Sequence, residues 1–481
     1  LLSLEVAGYR HAGASADTLR DLALELSDGT LTGLLGASGS GLSTLVLVLG
    51  GLAPRVVGGR LRGTLRIDGE DVTAWPMHRL VERVVTGLGR PAAQLSLVAE
   101  TVFEEVAFGP AGLGLPHGDV VARTWRALET MAVADLAGRD PRHLSGGEEQ
   151  LVVLAGLLAV GAQHLLLDAP LTQLDPVARE RVLDALRMAA DAGVTVLVAE
   201  HRASILADRC DVDLRIAHGR LGEEAPKADP RPTGTAVEAG TIPAEVPDVT
   251  LEGVTHAYAS GVRALDGVDL HIDAGEAVAI VGPNGSGKTT LARHLDGLLR
   301  PTQGRVLVGG EDAARRSVAS LTRSVAVGFQ DPDRQIFARI VAAEVGFGPR
   351  QLGREGAAVE RSIDHALAAV GLAEQIGAHP ADLAEGQRKL LAIASLLAME
   401  SPVLVLDEPT AGLDDAGVAI VARVVAEERA QGRTVIAISH DRSFVTGSFP
   451  RAVRLERGRV VADGSPASVL EASPRRNRPI T

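Results

Sequence analysis

Segments of this chain recur at one fixed distance, and that repetition limits its fold more than composition does. Val102-Phe103-Glu104-Glu105-Val106-Ala107-Phe108-Gly109-Pro110 recurs as Val341-Ala342-Ala343-Glu344-Val345-Gly346-Phe347-Gly348-Pro349. Leu165-Leu166-Leu167-Asp168 recurs as Leu404-Val405-Leu406-Asp407; 341 minus 102 and 407 minus 168 both give 239. A glycine-rich loop also appears twice, but 282 minus 36 is 246, so the first copy has gained residues in between, expected around Pro54 to Gly63. Self-similarity over this distance means one architecture used twice. A length of 481 residues agrees, since single cores stop growing at roughly 250 to 300 residues. Residues 222–247, rich in Pro, Ala, Glu and Thr without apolar periodicity, read as a linker between domains at 1–221 and 248–481.

The loops differ in one decisive residue. Gly282-Pro283-Asn284-Gly285-Ser286-Gly287-Lys288-Thr289-Thr290 fits G-x-x-x-x-G-K-[ST], whereas Gly36-Ala37-Ser38-Gly39-Ser40-Gly41-Leu42-Ser43-Thr44 has leucine for lysine. In this motif glycines let successive backbone N–H groups cradle phosphate oxygens, lysine reaches the β/γ-phosphates and the hydroxyl holds Mg²⁺. The apolar run Ala277 to Val281 before the loop predicts a strand, and the spacing from Thr289 to Leu299 predicts a helix. Phosphate then meets a helix N-terminus, whose unpaired N–H groups and dipole favour anions. Val403 to Leu406 and Thr434 to Ile438 are further buried-strand candidates.

Asp407-Glu408 follows one of these apolar runs. An Asp there helps to hold Mg²⁺, and a Glu beside it can orient or deprotonate the attacking water. The first half has Asp168-Ala169, which keeps the metal ligand and loses the base. A net charge of −13 weighs against a nucleic-acid-binding body, because phosphate backbones are recognised by clustered basic residues. The lone Cys210 cannot form an internal disulfide and reads as a packing residue. The chain has no uninterrupted apolar run of about 20 residues that would cross a bilayer, and Leu1 to Arg10 lacks a secretory-signal layout.

Leu144-Ser145-Gly146-Gly147-Glu148-Glu149-Gln150, with Leu383-Ala384-Glu385-Gly386-Gln387 as its counterpart, completes a set of ordered motifs. On these motifs the sequence resembles, twice and over nearly its whole length, the ATP-binding cassette (ABC) ATPases, whose signature is LSGGQ. The resemblance implies an α/β fold of two tandem P-loop nucleotide-binding domains. Each would have a mostly parallel core sheet, an antiparallel β subdomain and a helical signature subdomain. It also implies ATP and Mg²⁺ as cofactors. ATP contacts are expected from Tyr258, Gly282, Asn284, Gly285, Ser286, Gly287, Lys288, Thr289 and Thr290, and from Ser145, Gly146, Gly147 and Glu148 of the first half. Thr289, Gln330 and Asp407 are the implied metal ligands, and Glu408, His440 and Gln330 the implied catalytic residues.

In the family two cassettes pair head to tail, within one chain or between chains, so the complete loop would face Ser145 to Gly147 and the defects would fall in the other site. Alone, Ser145 also reads as a helix N-cap. The same resemblance equates Tyr9 with Tyr258 as base-stacking aromatics, His201 with His440, and Asp175 with Asp414 as interface aspartates. Aligning Pro91 and Gln94 with Pro332 and Gln335 through a short insertion leaves Gly89 in the place of Gln330.

Gln330-Asp331-Pro332-Asp333-Arg334-Gln335, followed by Glu344-Val345-Gly346-Phe347-Gly348-Pro349, resembles the energy-coupling-factor and cobalt-type importer ATPases, as does Pro54-Arg55-Val56-Val57-Gly58-Gly59. That likeness implies separate integral-membrane partners, one transmitting motion and one binding a vitamin or metal ion. It implies a peripheral place on the cytoplasmic face of the membrane and no nucleic acid. The alternatives are a soluble tandem ATPase acting on ribosomes or nucleic acid, and a nucleotide-dependent binding protein without turnover. The tail from Pro474 to Thr481, with Arg475, Arg476 and Arg478, reads as a solvated terminus.

Overall fold

The computed structural model describes residues 1–222 and 248–471, apart from 90–92, 97, 173, 207 and 260. Most of the expected linker, the tail from Pro474 and the aligned Pro91 lie outside the described residues. The chain divides into two compact units, Leu1–Lys227 and Ala228–Thr481.

In the second unit the core sheet runs Val325–Gly328, Val403–Asp407, Thr434–Ile438, Ala277–Val281, Arg451–Glu456, Arg459–Gly464. The first five strands are parallel and the last pair antiparallel. Parallel strands are covered on both faces, which is why their sequences read as unbroken apolar runs. Val403 and Val405 pack into a cluster with Val249, Leu270 and Val306 of the antiparallel sheet and with Leu291 and Leu295 of the loop helix. Leu404 and Leu406 join the opposite cluster, with Leu391 of the helical arm and Val421 and Val425.

The antiparallel sheet is ordered Arg263–Ile272, Val249–Ala257, Gln303–Val308, Glu311–Asp312. The helical arm comprises Val341–Gln351, Ala357–Ala369 and Glu385–Met399. The first unit repeats all three parts, with a core sheet ordered Val84–Gly87, His164–Asp168, Thr195–Glu200, Leu31–Leu35, Val212–Ala217, Arg220–Leu221.

The extra residues of the first half fall in two places. Its loop helix and that of the second half end at Leu49 and Leu295, an offset of 246, but the next strands end at Ile67 and Val308, an offset of 241. Five of the seven residues therefore lie in that interval, and the short helix Leu52–Arg55 occupies part of it. The Arg55 guanidinium pins this helix by donating to the carbonyls of Gly51, Val72, Thr73 and Trp75. The other two fall between Gly87 and Val102, where the offset drops from 241 to 239.

The helix expected over Thr289 to Leu299 spans Lys288–Leu295. Gly297, at φ 74°, turns the chain left-handed just beyond it. Cys210 packs at the margin of the first unit's core, and burial pushes its thiol up to about 11, which makes it unreactive.

Candidate active site

The glycine loop of the second unit leaves the strand Ala277–Val281 and enters the helix at Lys288. Gly287 sits at φ 103° and Gly285 at φ 74°, conformations that side chains rarely adopt. Any Cβ on Gly282 would stand 2.1 Å from the Leu455 carbonyl, so the loop can turn there only as glycine. Lys288 is 6% exposed, and its ammonium donates to the carbonyls of Gly282 and Pro283 at 2.8 and 2.9 Å. The Ser286 hydroxyl is buried without a hydrogen-bond partner.

Two adjacent strand ends supply the acids. Asp407 pairs with Ile438 in register, which sets Asp407-Glu408 beside Ser439-His440. Burial raises the Asp407 carboxyl, and a hydrogen bond with Thr289 opposes that shift. Its Oδ1 is buried without a hydrogen-bond partner. An orphaned carboxylate oxygen beside a threonine hydroxyl is the hard oxygen environment that Mg²⁺ takes.

Glu408 is pushed up to about 7, first by burial, with Lys288 opposing and Asp407 adding to the shift. That value suits a general base working near neutral pH. His440 Nε2 lies 3.1 Å from Glu408 Oε1, and the His440 N–H donates to Oε2 at 3.3 Å. Lys288, Thr289, Asp407, Glu408 and His440 are thus brought together. Gln330 is exposed, and what ties it to the site is its carbonyl, which accepts from Lys389 Nζ at 2.5 Å.

The first unit keeps the backbone and loses the chemistry. Gly41 and Gly39 sit at φ 99° and 78°, matching Gly287 and Gly285. Leu42, however, is 2% exposed and packs with Leu45, Val46 and Leu49 in the core. Ala169 holds the same left-handed turn as Glu408, φ 49° against 48°, without a carboxylate. A carboxylate instead stands on the neighbouring strand. Glu200 takes the place of Ser439 (439 minus 200 and 408 minus 169 both give 239) and accepts from the Leu171 N–H at 3.0 Å. Burial pushes Glu200 up to about 7. His201 Nδ1 lies 3.0 Å from the Gly36 carbonyl.

The signature segments differ at the cap. Ser145 opens the helix Gly146–Val160: its hydroxyl donates to Glu148 Oε2 at 2.8 Å and accepts from the Glu148 N–H at 3.4 Å, while the Ser145 N–H also donates to that carboxylate. Glu148 further pairs with Arg139 at 2.8 Å. Ala384 lacks the hydroxyl, and only the Gln387 side chain reaches back, accepting from the Ala384 N–H at 3.0 Å. Asp175 and Asp414 likewise act as helix N-caps, accepting from the N–H groups of Ala178 and Gly417.

Two correspondences change on inspection of the geometry. Tyr9 is fully buried, its hydroxyl donating to the carbonyls of Val57 and Gly58, so it cannot stack on a base. Its counterpart is His256, and that of Tyr258 is His11: 256 minus 9 and 258 minus 11 are both 247. Each half has an edge-to-face pair, Tyr9 with His11 at 4.9 Å and His256 with Tyr258 at 4.8 Å. The second member meets a loop threonine in both, His11 with Thr44 at 3.1 Å and Tyr258 with Thr290 at 3.0 Å. Tyr258 remains half-buried. Gln94 corresponds to Gln335, since 335 minus 94 is 241, and the short insertion follows it, before Val102. Gln94 Oε1 accepts from Leu88 N–H as Gln335 Oε1 accepts from Phe329 N–H, which leaves Gly89 where Gln330 stands.

Lys389 and Glu200 are site residues that motif reading missed. Glu200 ends an otherwise apolar strand, Thr195–Glu200, whereas Lys389 carried no such signal, since Glu385, Gln387 and Arg388 precede it in the polar start of its helix.

A repeated α/β unit with a glycine loop, an aspartate at a strand end and a signature helix defines an ABC-type ATPase cassette, present twice. The sequence pattern described as "ABC transporter" matches residues 19–172 and 265–411, and the chain belongs to that family. A candidate ABC transporter ATP-binding protein of Methanosarcina acetivorans is 31% identical over 479 residues, covering 97% of this chain and 90% of that protein. Another, from Streptomyces coelicolor, is 32% identical over 543 residues, covering 98% and 95%. Among solved structures, cbiO1 from Clostridium perfringens, described as part of the ABC transporter complex cbiONQ, is 34% identical with a TM-score of 0.44, covering 47% of this chain and 91% of that one. The family's cassettes bind and hydrolyse ATP, and the chain is an ABC ATPase.

Proposed function

We propose that the chain is the energising subunit of an ABC importer of the energy-coupling-factor type, serving a vitamin or a metal ion, with one competent and one degenerate ATP site. The observation that carries this reading is the asymmetric assembly of Lys288, Thr289, Asp407, Glu408 and His440 against Leu42 and Ala169. Gln330-Asp331-Pro332-Asp333 and Glu344 to Pro349 support the importer subclass.

In the second cassette Gly282 to Thr290 and Tyr258 hold ATP, and Thr289, Asp407 and Gln330 hold Mg²⁺, which supplies charge stabilisation to the transferring phosphoryl group. Glu408 orients and deprotonates the attacking water, and His440 holds Glu408 in place. Ser145, Gly146, Gly147 and Glu148, at the start of a helix, supply the N–H groups that a paired cassette lays over the triphosphate.

The partner reading has its own support. Phe337, Ile340 and Phe347 are 64%, 48% and 44% exposed beside the loop bearing Gln330, with the two phenylalanine rings 4.8 Å apart. Exposed apolar patches of this kind mark protein interaction sites. No helix among the described residues is long and apolar enough to cross a membrane. The chain then works on the cytoplasmic face of the membrane, bound to separate integral-membrane subunits.

The test is copurification followed by ATPase measurement of wild type and Glu408→Gln with the recovered partners. Integral-membrane proteins and an ATPase that Glu408→Gln abolishes are expected. Recovery of ribosomes alone, or equal negligible rates in both proteins, overturns the proposal.

A further inference from the structure

Lys389 is only 5% exposed in the helix Glu385–Met399. A buried ammonium persists only where other groups answer its charge. It donates to the Gln330 carbonyl at 2.5 Å, and the carboxylates of Asp407, Glu408, Asp331 and Glu385 act on it electrostatically. One side chain thus joins three parts of the cassette: the signature helix, the loop bearing Gln330, and the strand end bearing the acid pair.

The first cassette provides an internal comparison. Residue 150 is its counterpart, since 389 minus 150 is 239, the offset that also relates Asp168 to Asp407 and Ala169 to Glu408. That residue is Gln150, 2% exposed. A buried cation in one half is replaced by a buried neutral amide in the other, where Ala169 has also lost the carboxylate of Glu408. Two of these three positions differ together, lysine occurring with glutamate and glutamine with alanine, while the aspartate is kept in both halves.

We propose that Lys389 is a positioning residue for ATP hydrolysis in the second cassette, anchoring the Gln330 loop to the signature helix and setting the charge balance around Asp407 and Glu408. The inference rests on the reading of that cassette as the hydrolytic one. The lysine charge lowers the cost of holding two buried carboxylates side by side, and it competes with a divalent cation for them. The anchor also means that the signature helix cannot shift against the Gln330 loop without breaking a part-buried, charge-assisted hydrogen bond.

The experiment uses the full chain with Lys389→Gln, the residue of the first cassette, and Lys389→Arg, which keeps the charge. Mg²⁺ is titrated in the steady-state ATPase assay and, separately, in thermal unfolding with a non-hydrolysable ATP analogue. Lys389→Gln is expected to lower kcat by about tenfold or more through misplacement of the loop. The Mg²⁺ midpoint is expected to move about fivefold lower in both readouts, because a competing charge is gone. Lys389→Arg should keep the wild-type Mg²⁺ midpoint.

A Mg²⁺ midpoint unchanged in Lys389→Gln overturns the proposal, whether kcat is normal or both variants simply unfold at a lower temperature. If Lys389→Gln does not fold, Glu408→Gln/Lys389→Gln, which removes charges of both signs, is compared with Glu408→Gln by the Mg²⁺-dependent unfolding shift. A lower Mg²⁺ midpoint in the double variant than in Glu408→Gln supports the proposal, and an unchanged midpoint overturns it. Glu408→Gln with wild-type turnover would instead sink the choice of hydrolytic cassette, an outcome separate from any result at Lys389.

Discussion

Ala169 and Glu408 occupy one left-handed turn, at φ 49° and 48°, in two cassettes that otherwise share strand order, loop dihedrals and helical arm. A non-glycine residue in this region costs on the order of 1 kcal/mol or more. The first cassette bears that cost although no carboxylate is there to use it. The turn therefore belongs to the fold, fixed by N–H donations from Ala169 to Ala199 and from Glu408 to Ile438 at 2.8 and 2.9 Å. Chemistry is a separate layer, and a few side chains remove it while the scaffold stays. Leu42 shows how: the position that sets a lysine ammonium on the loop carbonyls in one half has been taken into the hydrophobic core of the other.

The largest expected effect lies at the acid. Glu408→Gln should reduce steady-state ATPase by about 10² to 10⁴, while Ala169→Gln leaves the rate within about twofold because no base is lost there. ATP cleavage untouched by Lys288→Ala but abolished by changes at Leu42 or Ala169 would reverse the roles of the two cassettes.

Stability should show the opposite asymmetry at the loop lysine position. Leu42→Ala leaves a core cavity and should cost about 2 to 5 kcal/mol in urea unfolding. Lys288→Ala, which removes no apolar packing of that kind, should cost about 1 kcal/mol or less. Equal costs would show that Leu42 has not become a core residue.

Acid should also separate the halves. His164, at the start of a buried strand of the first unit, is pushed down to about 4 by burial, and its counterpart in the second is Val403. A depressed pKa stabilises the fold above the ordinary histidine value and loses that contribution as pH falls from about 6.5 toward 4. At pH 5 the loss should be about 2 kcal/mol relative to pH 7.5, and His164→Val should abolish the difference. An identical pH dependence in the variant would refute it.

The smallest effect is at the signature caps. Ser145→Ala should cost about 1 kcal/mol and Ala384→Ser should gain a comparable or smaller amount, both read by thermal unfolding. No change in either would mean that the serine hydroxyl does not cap the helix.

Much of this was legible in the linear chain because the underlying rules are local. The strand Thr434–Ile438 appears within its apolar run, and Ala277–Val281 ends where the glycines begin. The loop lysine, the acid pair and the signature serine are likewise set by spacing. The aromatic correspondence was not legible: the two tyrosines looked equivalent as the only tyrosines in the chain, yet strand register makes His256 the counterpart of Tyr9, which pairs with Leu19 as His256 pairs with Leu265. A shift of two residues keeps the same face of a strand, so the alternation of side chains could not expose the error.

Where the two additional residues near Gln94 fall was not legible either, until its hydrogen bond to Leu88 fixed the alignment. Lys389 and Glu200 stayed hidden because a charged residue has no meaning until its partners are known, and those partners are 59 and 29 residues away.

Sequence alone determined the duplication, the α/β class and the unequal loops, since each depends on residue type and short-range spacing. Tertiary structure decided where the burial falls: which tyrosine is core, which carboxylates lie deep enough to shift, and which lysine answers them. Burial and electrostatics are sums over groups that meet only after the chain has folded.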